Sequence, residues 1–117
     1  MSIQGGFSRK CRKAAGRPCP YCGRSMTRRG RLAASKDHIL AKSRGGALSD
    51  FYGFNELIVC SLCNNHKADM SLAAFCVTLA WHGDKRVVHV ASVIAAIHRR
   101  VPSAVAALLT GVGEVVG

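Results

Sequence analysis

Two Cys-x-x-C pairs constrain this chain more than anything else in it. The first is Cys19-Pro20-Tyr21-Cys22 and the second is Cys60-Ser61-Leu62-Cys63, with residues 23–59 between them. A Cys-x-x-C turn points two sulfurs at one ion, and a second such turn completes a closed tetrahedral zinc site. The intervening stretch is longer than the loop of a simple zinc finger, so the staple must clasp the base of an inserted substructure. Pro20 stiffens the first turn, and Gly23 permits the tight backbone bend that lets both sulfurs face the ion. The competing use of the motif is dithiol redox chemistry, which calls for one Cys-x-x-C in a βαβ context. This sequence offers neither condition. Cys11 and Cys76 are left over: Cys11 reads as a free thiol on a basic arm, Cys76 as a core residue on an apolar helix face.

The chain has 117 residues, enough for one domain with a modest core, and short enough to gain from a staple. Its formal charge of +11 is unevenly placed. Residues 1–44 hold twelve Lys or Arg and a single acid, Asp37, whereas residues 45–117 hold five of each. Four thiolates on one Zn²⁺ would lower the total only to about +9. A one-sided load of this kind favours a polyanionic partner over a merely soluble surface. Met1 to Gly16 is polar and basic with no apolar central run, so no secretory signal is expected. The apolar segment 101–117 is interrupted by Pro102, Ser103, Thr110 and Glu114 and is too short for a membrane span. The expected setting is cytoplasmic and reducing, where Cys-x-x-C pairs hold metal or do redox chemistry.

The pattern divides the chain into a basic flexible arm (1–18), a core (19–75) and a helical extension (76–117) that packs on the same domain. Residues 32–40 form the first credible strand, and Leu57-Ile58-Val59 is a short apolar run of strand type that delivers Cys60. A helix is expected from about Leu62, carrying Asn64 and Lys67 in its first turns. Ser71 is placed to cap a second helix whose apolar face is Leu72, Phe75, Cys76 and Leu79, ending at Gly83. Val87, Val90, Ile94, Ile97 and Val101 form the stripe of a third helix, with Arg99 and Arg100 at its C-terminal end, where the helix dipole favours cations. Pro102 opens a last short helix through Leu109.

The chemistry lies between the cysteine pairs. Hydrolysis of a phosphodiester needs a base near the attacking water and a cation on the phosphate oxygens. His38 is an imidazole, the side-chain type that most often serves as such a base. Asp37 is a hard oxygen ligand suited to Mg²⁺ or Mn²⁺, and it is the single acid in a long basic stretch. An Asp-His pair on a straight strand points its two side chains to opposite faces, so a bend would be needed to bring them together. Asn55 and Asn64 are amides that can fix a histidine loop or ligate a hard metal. His82, His89 and His98 lack ligand spacing with these groups.

In order and spacing, Cys19-x2-Cys22, Asp37-His38-Ile39, Ser43-x-Gly45-Gly46 and Asn55-x4-Cys60-x2-Cys63-Asn64-x2-Lys67 resemble the HNH endonuclease family, in particular its small four-cysteine members in phages, prophages and bacterial genomes. The resemblance covers Cys19 to about Phe75. It departs from the family at Ala41, where many relatives carry proline, and in the stretch from Gly46 to Asn55, which is a little long. The resemblance implies an α+β fold: a ββα-metal core of two strands and a helix around one divalent ion (Mg²⁺, Mn²⁺ or Ni²⁺), stapled by a four-cysteine zinc site and followed by C-terminal helices. It further implies His38 as general base, Asp37 and Asn64 as ligands of the catalytic ion, and Asn55 as the residue that orients the His38 loop. Cys19, Cys22, Cys60 and Cys63 would hold the structural zinc. His66 is a rival to Asn64 as ligand.

On this reading the substrate is DNA, held mainly through its backbone by Arg24, Arg28, Arg29, Arg31, Lys42, Arg44 and Lys67, with Lys67 either approaching a phosphate or covering the zinc sulfurs. A phage terminase or another packaging protein, and a second copy of the chain, are further candidate partners. The same staple and charge also fit a zinc-ribbon DNA-binding module without catalysis, or a phage DNA-packaging accessory protein.

Overall fold

The computed structural model describes residues 8–40 and 55–113. Among these residues the order is α1 (Arg9–Ala14), β1 (Ala34–His38), β2 (Glu56–Cys60), α2 (Ser61–Lys67), α3 (Leu72–Trp81), α4 (Arg86–Arg100) and α5 (Ser103–Thr110). The architecture is mixed α+β: a two-stranded antiparallel sheet with helices gathered round it.

The first Cys-x-x-C sits at the tip of a narrow loop that is closed by hydrogen bonds on both sides. Gly16 N donates to Met26 O, Met26 N to Arg17 O and Cys19 N to Arg24 O, all at 2.7–2.8 Å. Gly23 N returns to Cys19 O at 2.7 Å, and Gly23 itself has φ +79°, a conformation that a Cβ disfavours. The turn anticipated around Pro20 and Gly23 is therefore present, and it brings both sulfurs to one side.

β1 is weaker by composition than any strand should be, with the sequence Ala-Ser-Lys-Asp-His. Pairing sustains it. Ala34 lies opposite Cys60, Asp37 opposite Leu57 and His38 opposite Glu56, so the better strand former, β2, templates the poorer one. β2 then runs directly into α2, with Cys60 as the N-cap residue whose Sγ accepts from Cys63 N at 3.5 Å. One sulfur thus serves both as helix cap and as member of the cysteine cluster. α2 packs back on β1.

The C-terminal helices follow their hydrophobic periodicity. Ser71 caps α3 through Ala74 N, and Leu72, Phe75 and Leu79 are buried. Along α4, Val90 and Ile97 are buried and Val87 and Ile94 half-buried. Phe75 meets Tyr21 edge-on, with ring centroids 5.8 Å apart. This contact joins the helical layer to the cysteine turn, and the fully buried Tyr21 is shared by both. His98 Nε2 lies 2.9 Å from Thr110 Oγ1 and ties α4 to α5.

One difference from the sequence-based expectation concerns the arm. Residues 9–14 are helical, capped by Ser8, and Cys11 and Ala14 are buried. Cys11 is 1% exposed, a core residue and not a free thiol on an arm. The run of charges conceals a helix with only two apolar positions to bury, too few to show as a periodic signal.

α2 ends abruptly after Lys67. Ala68 takes φ +50° and ψ −128° while its N–H still reaches Asn64 O at 3.0 Å. An L-residue with a Cβ is strained there, and glycine is not. Ala68→Gly is therefore expected to stabilise the fold by about 1 kcal/mol. The measurement is a urea titration, in which the midpoint should rise with its slope unchanged; an unchanged or lower midpoint would exclude strain at this position.

Candidate active site

The sulfurs of Cys19, Cys22, Cys60 and Cys63 all lie within 4.8 Å of one another. A Zn–S bond of about 2.3 Å fixes the edge of a sulfur tetrahedron at about 3.8 Å. The Cys22 and Cys60 sulfurs stand 3.8 Å apart. The donor set therefore fits a closed structural zinc site, and among the described residues it is the group of His, Cys, Asp and Glu side chains arranged to hold an ion.

Backbone and side-chain donors point at these sulfurs, as expected where thiolate charge must be stabilised. Tyr21 N and Cys60 N each donate to Cys19 Sγ at 3.3 Å, and Arg86 Nη1 reaches Cys63 Sγ at 3.4 Å. Hydrogen bonding from Cys63, aided by those backbone donors, holds the Cys19 thiol down to about 5, whereas the same bond together with burial pushes Cys63 up. Arg86 is itself fixed. Its Nη2 lies 2.8 Å from Asp84 Oδ2, its Nε donates to both carboxylate oxygens at 3.1 Å, and its guanidinium carbon lies 5.9 Å from the Phe75 ring centroid. Nothing in sequence spacing marked Arg86, because it enters from α4, far along the chain.

β1 presents its side chains alternately. Ser35 and Asp37 face α2, while Lys36 and His38 turn the other way. Asp37 is 3% exposed and accepts from Tyr21 Oη at 2.7 Å. Lys67 Nζ stands 3.3 Å from each carboxylate oxygen and 3.1 Å from His38 O, with its side chain wholly buried. Desolvation raises the Asp37 carboxyl against the pull of Lys67, and desolvation lowers the Lys67 amine against the pull of Asp37. Lys67 thus differs from its expected placement. It neither faces a phosphate nor covers the sulfurs; it neutralises Asp37.

Asn64 Nδ2 donates to Ser35 Oγ at 2.7 Å and to Lys36 O at 3.2 Å. Asp37 and Asn64 therefore lie on the same side of β1. As arranged, however, they do not fit an open divalent site, because a buried ammonium already occupies the Asp37 carboxylate. His66, the rival ligand, is exposed on the other side of α2.

His38 lies half-buried across the sheet from Glu56, with Nε2 and Oε2 4.0 Å apart. Glu56 also draws Lys36 Nζ to 3.8 Å and Lys10 Nζ to 3.2 Å, and the Lys10 hydrogen bond lowers its pKa. Asn55 clamps the chain just beyond His38. Its backbone O accepts from Ile39 N, its Oδ1 accepts from Leu40 N, both at 2.8 Å, and its Nδ2 donates to Leu40 O at 3.3 Å. Asn55 is fully buried. Arg24, Arg28, Arg29 and Arg31 are exposed, while Lys42 and Arg44 lie outside the described residues. Sequence reasoning passed over Tyr21 and Glu56; the first was hidden as a spacer inside Cys-x-x-C, and the second is placed only by the register of the sheet.

Residues 19–70 match the family model described as HNH endonuclease. That segment is similar to the HNH family, and the likeness implies nuclease chemistry as a class and DNA as the class of substrate. No curated protein and no solved structure matches the chain significantly. Among the described residues no helix is long and apolar enough to cross a membrane.

Two tests follow from the HNH site. The purified chain should carry one zinc bound by the four-cysteine group. Stripping it with a strong chelator should abolish cooperative unfolding, and added Zn²⁺ should restore it; a metal-free chain that still melts cooperatively would remove zinc from the fold. Lys67→Met leaves the Asp37 charge buried without its cation and should cost about 3–5 kcal/mol. Asp37→Asn combined with Lys67→Met should recover much of that loss, so a double-mutant cycle in urea reads the pair directly.

Proposed function

We propose that the chain is a metal-dependent DNA endonuclease that hydrolyses phosphodiester bonds, with His38 as general base. The observation that carries this reading is the family match over residues 19–70, within which His38 lies on the edge of the sheet beside the Asn55 clamp. In the proposed reaction His38 takes a proton from a water aligned with the scissile phosphorus. The water oxygen forms its bond to phosphorus as the bond to the 3′ oxygen breaks, and the departing 3′ oxygen takes a proton from solvent water, leaving 5′-phosphate and 3′-hydroxyl ends.

Other residues support this scheme. Asn55 holds residues 39 and 40 and so fixes where the His38 ring begins. Glu56 faces the ring that receives the proton. The exposed arginines of the 24–31 loop supply sequence-independent attraction to phosphate, and binding should weaken steeply with salt. A divalent ion (Mg²⁺, Mn²⁺ or Ni²⁺) would supply charge neutralisation at the phosphate, with Asp37 and Asn64 as its family-type ligands. In this arrangement Lys67 already neutralises Asp37, so such an ion would have to displace its ammonium.

The Asp37–Lys67 pair favours one alternative: a zinc-ribbon DNA-binding or packaging accessory protein in which the catalytic pocket is closed. Nicking of supercoiled plasmid in Mg²⁺, Mn²⁺ and Ni²⁺ decides between them. Wild type should nick, and His38→Ala at equal zinc content should be slower by at least about a hundredfold. DNA binding without nicking by either protein would establish the accessory reading.

A further inference from the structure

Behind α2, on the side away from β1, lies a hollow of about 530 Å³ that includes Arg24, His66, Lys85, Arg86 and His89 in its walls. A second hollow of about 390 Å³ includes Arg29 and Arg31. The two share Arg24 and Leu62 in their walls and so adjoin, making a basic trough beside the cysteine turn. The trough is separate from the His38 side of the domain. Leu62 and His66 lie in its wall, whereas Asn64 and Lys67 of the same short helix reach β1.

The charge of the trough is one-signed in effect. Asp84 is the acid in its walls, and Arg86 neutralises it at 2.8 Å. Arg24, Arg29, Arg31 and Lys85 remain, all exposed. The two walls are also locked together. Arg86 joins α4 to Cys63, and the His89 ring lies so close to Gly23 that a Cβ there would stand 2.8 Å from Cε1. The exposed cations therefore stand on walls whose relative position is fixed, and a linear polyanion such as a sugar–phosphate backbone is the ligand whose charge complements them.

We propose that this trough extends the phosphate-binding arginine loop onto the C-terminal helices, with Lys85 at the start of α4 as a further DNA-backbone contact remote from His38. The choice of DNA as occupant rests on the nuclease reading. The C-terminal helices then serve binding as well as packing: they supply one wall of a grip on substrate, remote from the chemistry.

The test compares two charge reversals on the same helix in the zinc-loaded full chain. Lys85→Glu lies in the trough, whereas Arg99→Glu makes the same change in net charge near the other end of α4 and lines neither hollow. Binding of a fluorescein-labelled duplex is followed by anisotropy, without added divalent ion, across a series of KCl concentrations. Lys85→Glu should weaken binding at least about fivefold at low salt, with a log–log salt slope about one unit shallower, and Arg99→Glu should change Kd less than about twofold. Circular dichroism and zinc content check that each variant is folded, with Lys85→Gln as the milder replacement.

Equal effects of the two reversals, or no effect of either, would overturn the proposal while plasmid nicking by wild type kept the nuclease reading intact. A selective loss with Lys85→Glu in a protein that does not nick would keep the trough and remove the nuclease. A wild-type chain that binds no duplex would remove both.

Discussion

The convergence of four sulfurs is the interaction on which everything else depends. Cys19 and Cys22 arrive from a tight turn, and Cys60 and Cys63 from the junction of β2 and α2, so one ion would join segments that are far apart in sequence. β1 has too little strand propensity to stand alone, and α2 is only two turns long. Both are held because Cys60 ends one element and caps the next. Arg86 then fastens α4 to the same cluster through Cys63, which makes the helical extension part of the staple's surroundings and not a separate layer.

A second constraint is the buried pair of Asp37 and Lys67. Two charges leave water, at a desolvation cost that their mutual attraction offsets only when the geometry is good and other hydrogen bonds are made. Here Tyr21 Oη and His38 O supply those bonds. The pair links α2 to β1 immediately before His38, so the position of the histidine backbone depends on it. The same pairing sets the carboxylate against a cation supplied by the protein. An external cation would have to compete with Lys67 for Asp37, so the fold itself controls that carboxylate.

Much of the fold was legible in the sequence. β2, α3, α4 and α5 lie where hydrophobic pattern and terminal residues placed them, and α2 begins one residue before the expected Leu62. Ser71 caps α3 as its position implies. α1 was hidden by its charges, and Ala68 gave no sign that it would terminate α2 at positive φ. The alternation of Asp37 and His38 across β1 was also readable, since a straight strand sends neighbours to opposite faces.

The sequence by itself determined the likeness to the HNH family over residues 19–70, the four-cysteine set and the basic character of the chain, because these reside in residue identity and spacing, which do not depend on how the elements pack. Tertiary structure alone decided the pairings. It put Lys67 on Asp37, Glu56 across from His38, Arg86 on Cys63, and His89 against Gly23. The physical reason is that each contact joins elements whose relative placement follows from packing and strand register. A charged side chain carries no mark in sequence of which opposite charge the folded chain will bring to it.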